Sequence, residues 1–437
     1  MSHIATPPLR LASDVSAEDD VFRKIAWRLI PFLFFCYLAA YLDRVNVGFA
    51  KLQMQSELSF SETVYGFGAG IFFLGYVLFE VPSNIILHKV GARLWLARVM
   101  VTWAFISAGM AFVRSPTAFY VMRFLLGAAE AGFIPGVLLY LTFWFPAGRR
   151  GRIMALFLTA IPMASVFGGP LSGWILSSVS GSYGYSGWQW LFFVEAVPSL
   201  AFGIAILFYL DNHVEDAKWL DANEKRTVSR IIADEEEEKE GLSELKHAFI
   251  TPRVWLLAAA YFCIASGIYI VSFWLPTIIK QTGVKDPLTI GFLTAIPYIA
   301  AVIAMVTVCS HGDRTKERRW HTATPALVCA IGLAITATAT GNTLFAMIGL
   351  TLAAAGASTA QASFWTLPAT FLGGAAAAAG IALVNSVGNI AGFASTYVVG
   401  WLADLTHSNV TSLYLFGGLQ LVGAGLILTI PPSVANK

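Results

Sequence analysis

Apolar blocks about 20 residues long recur along almost the whole chain, and nothing else in the sequence constrains the fold as strongly. A helix rising 1.5 Å per residue needs roughly that length to cross a hydrocarbon core about 30 Å thick. Apolar windows bounded by charges and Pro/Gly breaks place candidate spans 1 to 6 at 25–49, 63–88, 94–113, 117–145, 151–178 and 188–210. Spans 7 to 12 follow at 254–280, 289–310, 321–340, 343–371, 376–403 and 410–431. Lipid offers no partner to a bare backbone N–H or C=O, so segments this long and this uniformly apolar read as helices. The expected fold class is an all-α membrane protein with twelve transmembrane helices in two six-helix halves.

Composition agrees: 57% of residues are hydrophobic and 12% charged, with a mean hydropathy of +0.68, against about 25% charged in a soluble domain. The net charge is +2 and no basic face interleaved with aromatics appears, which excludes a nucleic-acid partner. Cys36, Cys263, Cys309 and Cys329 lie in or beside apolar blocks without C-x-x-C spacing, and read as small core residues. His3, His88, His213, His247, His311, His321 and His407 fall in termini, loops or span ends without metal-ligand spacing. With no intramembrane nucleophile and base and no metal cluster, an enzyme is not expected, nor any cofactor. Asp14, Glu18, Asp19 and Asp20 precede the first span where an export signal would carry cations, so no cleavable signal is read there.

Lys89 and Arg93, then Arg149, Arg150 and Arg152, then Arg314, Lys316, Arg318 and Arg319 fill one set of alternate loops, with Arg23, Lys24 and Arg28 just before span 1. The opposite set has only scattered cations such as Lys51, Arg114, Lys280 and Lys285. The positive-inside rule then puts both termini and the central insert in the cytoplasm. The expected divisions are a cytoplasmic segment 1–24, a six-helix half 25–210, a cytoplasmic linker 211–253, a second half 254–431 and a tail 432–437. The insert holds an amphipathic stretch (Trp219, Leu220, Val228, Ile231, Ile232) and an acidic run from Asp234 to Glu238, and reads as a solvated linker helix bridging the halves.

Matched basic loops between spans 2 and 3 (Asn84-x3-His88-Lys89-x-Gly91-x-Arg93) and between spans 8 and 9 (Asp313-Arg314, Arg318-Arg319) suggest two related halves. The pattern resembles the major facilitator superfamily, whose loop motif is G-x3-D-R/K-x-G-x-R/K, with departures at Asn84 and His88. More specific are Tyr41-Leu-Asp-Arg-Val-Asn-Val-Gly-Phe49 in span 1, Arg123-Phe-Leu-Leu-Gly-Ala-Ala-Glu-Ala-Gly-Phe-Ile-Pro-Gly136 in span 4 and Asn385-Ser-Val-Gly-Asn389-Ile-Ala-Gly392 in span 11. With Glu80-Val-Pro-Ser-Asn84, Phe143-Trp-Phe-Pro146, Gly187-Trp-Gln-Trp-Leu-Phe192 and Phe273-Trp-Leu-Pro276, they resemble the anion:cation symporter family along nearly the whole chain. The likeness is nearest to bacterial permeases for small carboxylates of the tartrate, hydroxyphenylacetate and phthalate types.

An ionised side chain in hydrocarbon costs several kcal/mol by the lower estimates, so each intramembrane charge must face the bundle interior with a partner. Asp43 and Arg44 lie well inside span 1. In span 4, Arg123, Gly127 and Glu130 fall on one helical face, as an inward stripe with an open position at Gly127. Two arginines and two acids balance when the site is empty. An incoming carboxylate can take a guanidinium through a bidentate pair and drive a resident acid to bind a proton. Arg44 and Arg123 are therefore assigned to substrate carboxylate, and Asp43 and Glu130 to proton coupling. The resemblance implies the same roles, and also places Asn389 at the substrate. Tyr41, Tyr76, Trp365 and Asn385 complete the candidate substrate set, while Glu80, Arg98 and Glu195 are assigned to gate or packing networks. The competing reading makes Asp43 with Arg44, or Arg123 with Glu130, static ion pairs that fix helix packing.

The expected function is import of a small organic carboxylate, leaning to an aromatic acid, by proton symport through alternating access. A tartrate or sugar-acid symporter, an anion exchanger or facilitator without proton coupling, and a transporter-like sensor are the alternatives. The partners are a small organic anion, a proton and the lipid bilayer, with the chain a monomer.

Overall fold

In a computed structural model, residues 12–237, 251–339, 341–368 and 374–435 are described, and every regular element among them is helical. Among the described residues, twelve helices are long and apolar enough to cross a membrane. Spans 1 to 6 run Glu18–Glu57, Glu62–Val90, Ala92–Phe112, Pro116–Thr142, Gly148–Ser178 and Gly187–Tyr209. Spans 7 to 12 run Pro252–Gln281, Pro287–Thr315, Arg319–Thr338, Thr343–Phe364, Gly380–Thr406 and Val410–Thr429. Span 1 starts earlier than its apolar window because its charged approach is itself helical. Span 10 stops at Phe364, short of the window end at 371, and residues 369–371 lie outside the described ones.

Short polar residues at the span starts satisfy backbone donors that begin a helix without partners. Ser61 accepts from Val64 N at 3.2 Å, Ser115 from Ala118 N at 3.3 Å, and Asp286 from Thr289 N at 2.9 Å. Span 4 breaks just after Glu130, where Gly132 takes a φ of +88° against Ser83; a Cβ there would sit 2.1 Å from the Ser83 hydroxyl. Only glycine adopts that backbone in that space.

The halves meet through spans 2 and 11 and through spans 5 and 8, with backbone against backbone. A Cβ on Gly66 would lie 2.4 Å from Thr396 O, one on Gly400 2.2 Å from Glu62 O, and one on Gly291 2.3 Å from Gly169 O. Small residues permit this approach, as they do generally between membrane helices. These contacts lie towards the end of the bundle that carries the span 1–2 loop, here called the gate end. Lys51 closes it further: its ammonium meets Glu62 Oε2 at 2.5 Å and sits 3.8 Å from the Trp274 ring centroid on the opposite half. Tyr65 donates to Phe273 O at 3.0 Å, Lys280 to Leu52 O at 2.8 Å, and the backbone N–H groups of Glu62 and Thr63 to Asp404 at 3.0 and 2.7 Å.

At the opposite end the insert forms a helix, Ala222–Glu237. Among the described residues its contacts run to the first half, and residues 238–250 lie outside the described ones. Trp219 stacks on Trp144 with centroids 5.6 Å apart, Arg28 lies 4.9 Å over Trp219, and Lys24 pairs with Glu224 at 2.7 Å. Leu220 and Val228 are buried, so the amphipathic face seats on the bundle instead of standing in solvent. Of the acidic run, Glu238 lies outside the described residues.

Candidate functional site

The two neighbours Asp43 and Arg44 serve different sides of span 1. Successive helical residues are about 100° apart, so adjacent charges cannot share one environment. Arg44, 6% exposed, reaches span 4, where Nε donates to Glu130 Oε1 at 3.0 Å and Nη2 donates to the same oxygen. Its guanidinium carbon lies 5.7 Å from the Tyr41 ring centroid, 5.3 Å from Phe72 and 5.4 Å from Tyr76. An aromatic enclosure of this kind holds a cation electrostatically while leaving the guanidinium edge free for an anion.

Asp43 turns towards spans 3 and 6. Ser107 donates to Oδ1 at 2.8 Å, while Trp103 Nε1 and Ser199 donate to Oδ2 at 3.2 and 2.5 Å. Among the described residues this buried carboxylate is held by three neutral donors and by no cation. The alternative of a static Asp43–Arg44 pair is not what the structure shows. Trp103 and Ser107, four apart on span 3, form a donor rung that only the packing of spans 1, 3 and 6 reveals.

Arg123 is fully buried and aims at the backbone of span 2, donating to Gly68 O at 3.3 Å and Ala69 O at 3.2 Å. Its Nη1 finds no hydrogen-bond partner among the described residues, and its guanidinium lies 4.9 Å from the Phe72 centroid. No Arg123–Glu130 ion pair forms among the described residues. The Gly127 position is not open either: a Cβ there would sit 1.9 Å from Phe72 O. Span 2 fills the gap, so the inward stripe of span 4 is divided, with Glu130 facing Arg44 and Arg123 facing span 2.

Across the half interface, Tyr41 meets Ser272 at 3.3 Å, and within the second half Tyr269 donates to Asn389 Oδ1 at 3.3 Å. Tyr269 also packs on Phe73 with centroids 4.5 Å apart and lies within electrostatic reach of Arg44. It thereby ties Asn389 of span 11 to the arginine enclosure, a link the sequence did not disclose. Asn385 donates to Glu80 Oε1 at 3.1 Å, joining spans 2 and 11. Trp365 instead stands in an aromatic cluster of the second half, 4.8 Å from Tyr261 and 5.7 Å from Phe364.

A family model described as Major Facilitator Superfamily matches residues 33–396. The chain belongs to the Major Facilitator Superfamily. It is therefore a multi-pass membrane transporter and not an enzyme. It is 47% identical over 436 residues to "Putative metabolite transport protein NicT" of Pseudomonas putida, covering 98% of this chain and 100% of that one. A protein of Agrobacterium vitis named "Putative tartrate transporter" is 48% identical over 420 residues, covering 95% and 92%. Among solved structures, the Escherichia coli xylose transporter XylE in an inward open conformation aligns with a TM-score of 0.74 at 13% identity, over 93% of this chain and 96% of that one. That likeness carries the fold alone.

Proposed function

We propose that this transporter imports a small organic carboxylate with protons by alternating access, through a site built on Arg44, Arg123, Glu130 and Asp43. The observation that carries the reading is the Arg44–Glu130 pair. Both groups are buried, yet among the described residues Arg44 meets one carboxylate oxygen of Glu130 and Arg123 keeps an unpartnered nitrogen. A substrate carboxylate can take the Arg44 edge only by displacing Glu130, which then holds its negative charge in a low-dielectric site unless it binds a proton. Substrate and proton thus favour each other's binding. Asp43, held by neutral donors, is the second acid that can gain and lose a proton.

Tyr41, Phe72 and Tyr76 around Arg44 favour an aromatic acid. Tartrate is the second reading, supported by the name of the Agrobacterium vitis relative. The loop cations support a reading with both termini and the linker in the cytoplasm, in a bacterial inner membrane. The halves are 25–210 and 254–431, joined by the 211–253 linker, and a single chain suffices.

Uptake into liposomes under an imposed pH gradient tests the coupling, and indifference to that gradient would reject symport. Thermal shifts with aromatic acids, dicarboxylates and sugar acids test the substrate class. A shift only with neutral sugars or with cations would overturn the role of the arginines.

A further inference from the structure

A small, partly enclosed cavity lies between the halves, nearer the gate end, and borders the arginine enclosure at Ser272, which meets Tyr41. It offers room for a water centre over about 20 Å³, which is one water molecule. Asn46, Ser165, Ser172 and Glu195 line it from the first half, and Ser272 and Thr294 from the second. Glu195 is 1% exposed. Its Oε1 accepts from Ser172 at 2.7 Å, while Oε2 has no partner among the described residues. Asn46, also 1% exposed, stands within interaction distance of the Glu195 carboxylate, though its amide makes no well-formed hydrogen bond among the described residues. Buried polar atoms are nearly always hydrogen-bonded, so a carboxylate and an amide that face each other without a well-formed bond leave capacity for a bridging occupant.

The chamber adjoins the Asp43 cage. Glu195 and Ser199 are one turn apart on span 6, and Ser199 donates to Asp43; Asp43 and Asn46 are three apart on span 1. Among ionisable groups, Asp43 of span 1 lies within electrostatic reach of Glu195, and Tyr298 of span 8 lines the same chamber. Spans 5 and 7 bring no ionisable side chain to its lining, and span 3 brings no lining residue. No cation neutralises Glu195 among the described residues. A single carboxylate is too little charge for a divalent cation, which usually draws on further carboxylate ligands, and suits a monovalent charge such as a proton.

We propose that Glu195 is a proton-binding site that loads from the gate side and passes its proton, through water beside Asn46, to Asp43. A hydrated proton delivers H⁺ to Glu195 Oε2 and leaves water. The onward step moves that H⁺ to a carboxylate oxygen of Asp43 and returns Glu195 to its ionised form. Because the chamber wall comes from both halves, Glu195 meets gate-side water only when the halves part there, so loading is tied to the opposite conformation. This inference deepens the proton-coupled reading given above and rests on it for direction, though proton binding at Glu195 can be observed without transport.

The test is infrared difference spectroscopy of the purified full chain between acid and alkaline pH, reading the C=O stretch of protonated carboxyl groups. One component is expected to vanish in Glu195→Gln, to persist in Asp43→Asn, and to persist with a shifted midpoint in Asn46→Ala. Thermal unfolding shows whether each variant is folded, and Asn46→Ala, which keeps the carboxyl group, supplies the answer if Glu195→Gln is not. In liposomes, Glu195→Gln is expected to slow pH-driven uptake at least tenfold. A Glu195→Gln spectrum identical to the unsubstituted one, an Asn46→Ala midpoint that does not move, or a component that follows sodium at constant pH overturns the proposal. Wild-type uptake indifferent to pH, with the Glu195 component present, rejects proton symport but leaves the proton site standing.

Discussion

Gly400→Ala should act on the conformational equilibrium more than on binding chemistry. The added methyl would lie 2.2 Å from Glu62 O on the opposite half, about 1.2 Å inside ordinary contact. The obstacle is backbone, held in place by Asp404 accepting from the Glu62 and Thr63 N–H groups at 3.0 and 2.7 Å, so no side chain can swing aside. Overpacking of this kind costs about 1–3 kcal/mol. The cost falls only on the state in which the gate end is closed, because the two backbones separate when the halves part. A 1–3 kcal/mol bias moves a two-state equilibrium about 5–150-fold. Thr294, which lines the Glu195 chamber and is buried, can report it as Thr294→Cys in a chain whose four native cysteines are replaced by serine. Labelling by a membrane-impermeant thiol reagent from the gate side should accelerate by that factor when Gly400→Ala is added. An unchanged labelling rate in a folded variant would refute both the closure assigned to the spans 2 and 11 contact and the reasoning from it.

Three further outcomes follow from the site. Arg44→Lys keeps the charge but loses the planar fork and its stacking on Tyr41, Phe72 and Tyr76, so substrate affinity by titrated thermal shift should fall at least tenfold, about 1.4 kcal/mol; unchanged affinity would remove Arg44 from the site. Asp43→Asn replaces an acceptor of three hydrogen bonds with an amide that accepts on one atom, which should cost about 1–3 kcal/mol in denaturant unfolding and abolish pH-driven accumulation. Lys51→Met removes the Glu62 contact and the cation–π contact with Trp274, the latter about 2 kcal/mol when desolvated; gate-side labelling at Thr294→Cys should rise as with Gly400→Ala, and a fall would contradict the latch.

Much of the architecture was legible because bilayer thickness translates directly into apolar run length, and a helix satisfies its own backbone wherever it sits. The spans, the six, linker and six order and the buried intramembrane charges therefore followed from the sequence alone. Partnership did not. Asp43 and Arg44 are neighbours in the chain, but a helix turns about 100° between them, and only the packing of spans 3, 4 and 6 decided that one meets hydroxyls and an indole while the other meets Glu130. The stripe through Arg123, Gly127 and Glu130 was visible as a periodicity, yet periodicity cannot say that the Phe72 backbone occupies the space at Gly127. Likewise Trp219 and Val228 announced an amphipathic face, while Trp144 and Arg28 decided where it docks. Local pattern sets which face of a helix is buried; the neighbour that buries it is a long-range fact, and the electrostatics of a low-dielectric site depend on that neighbour.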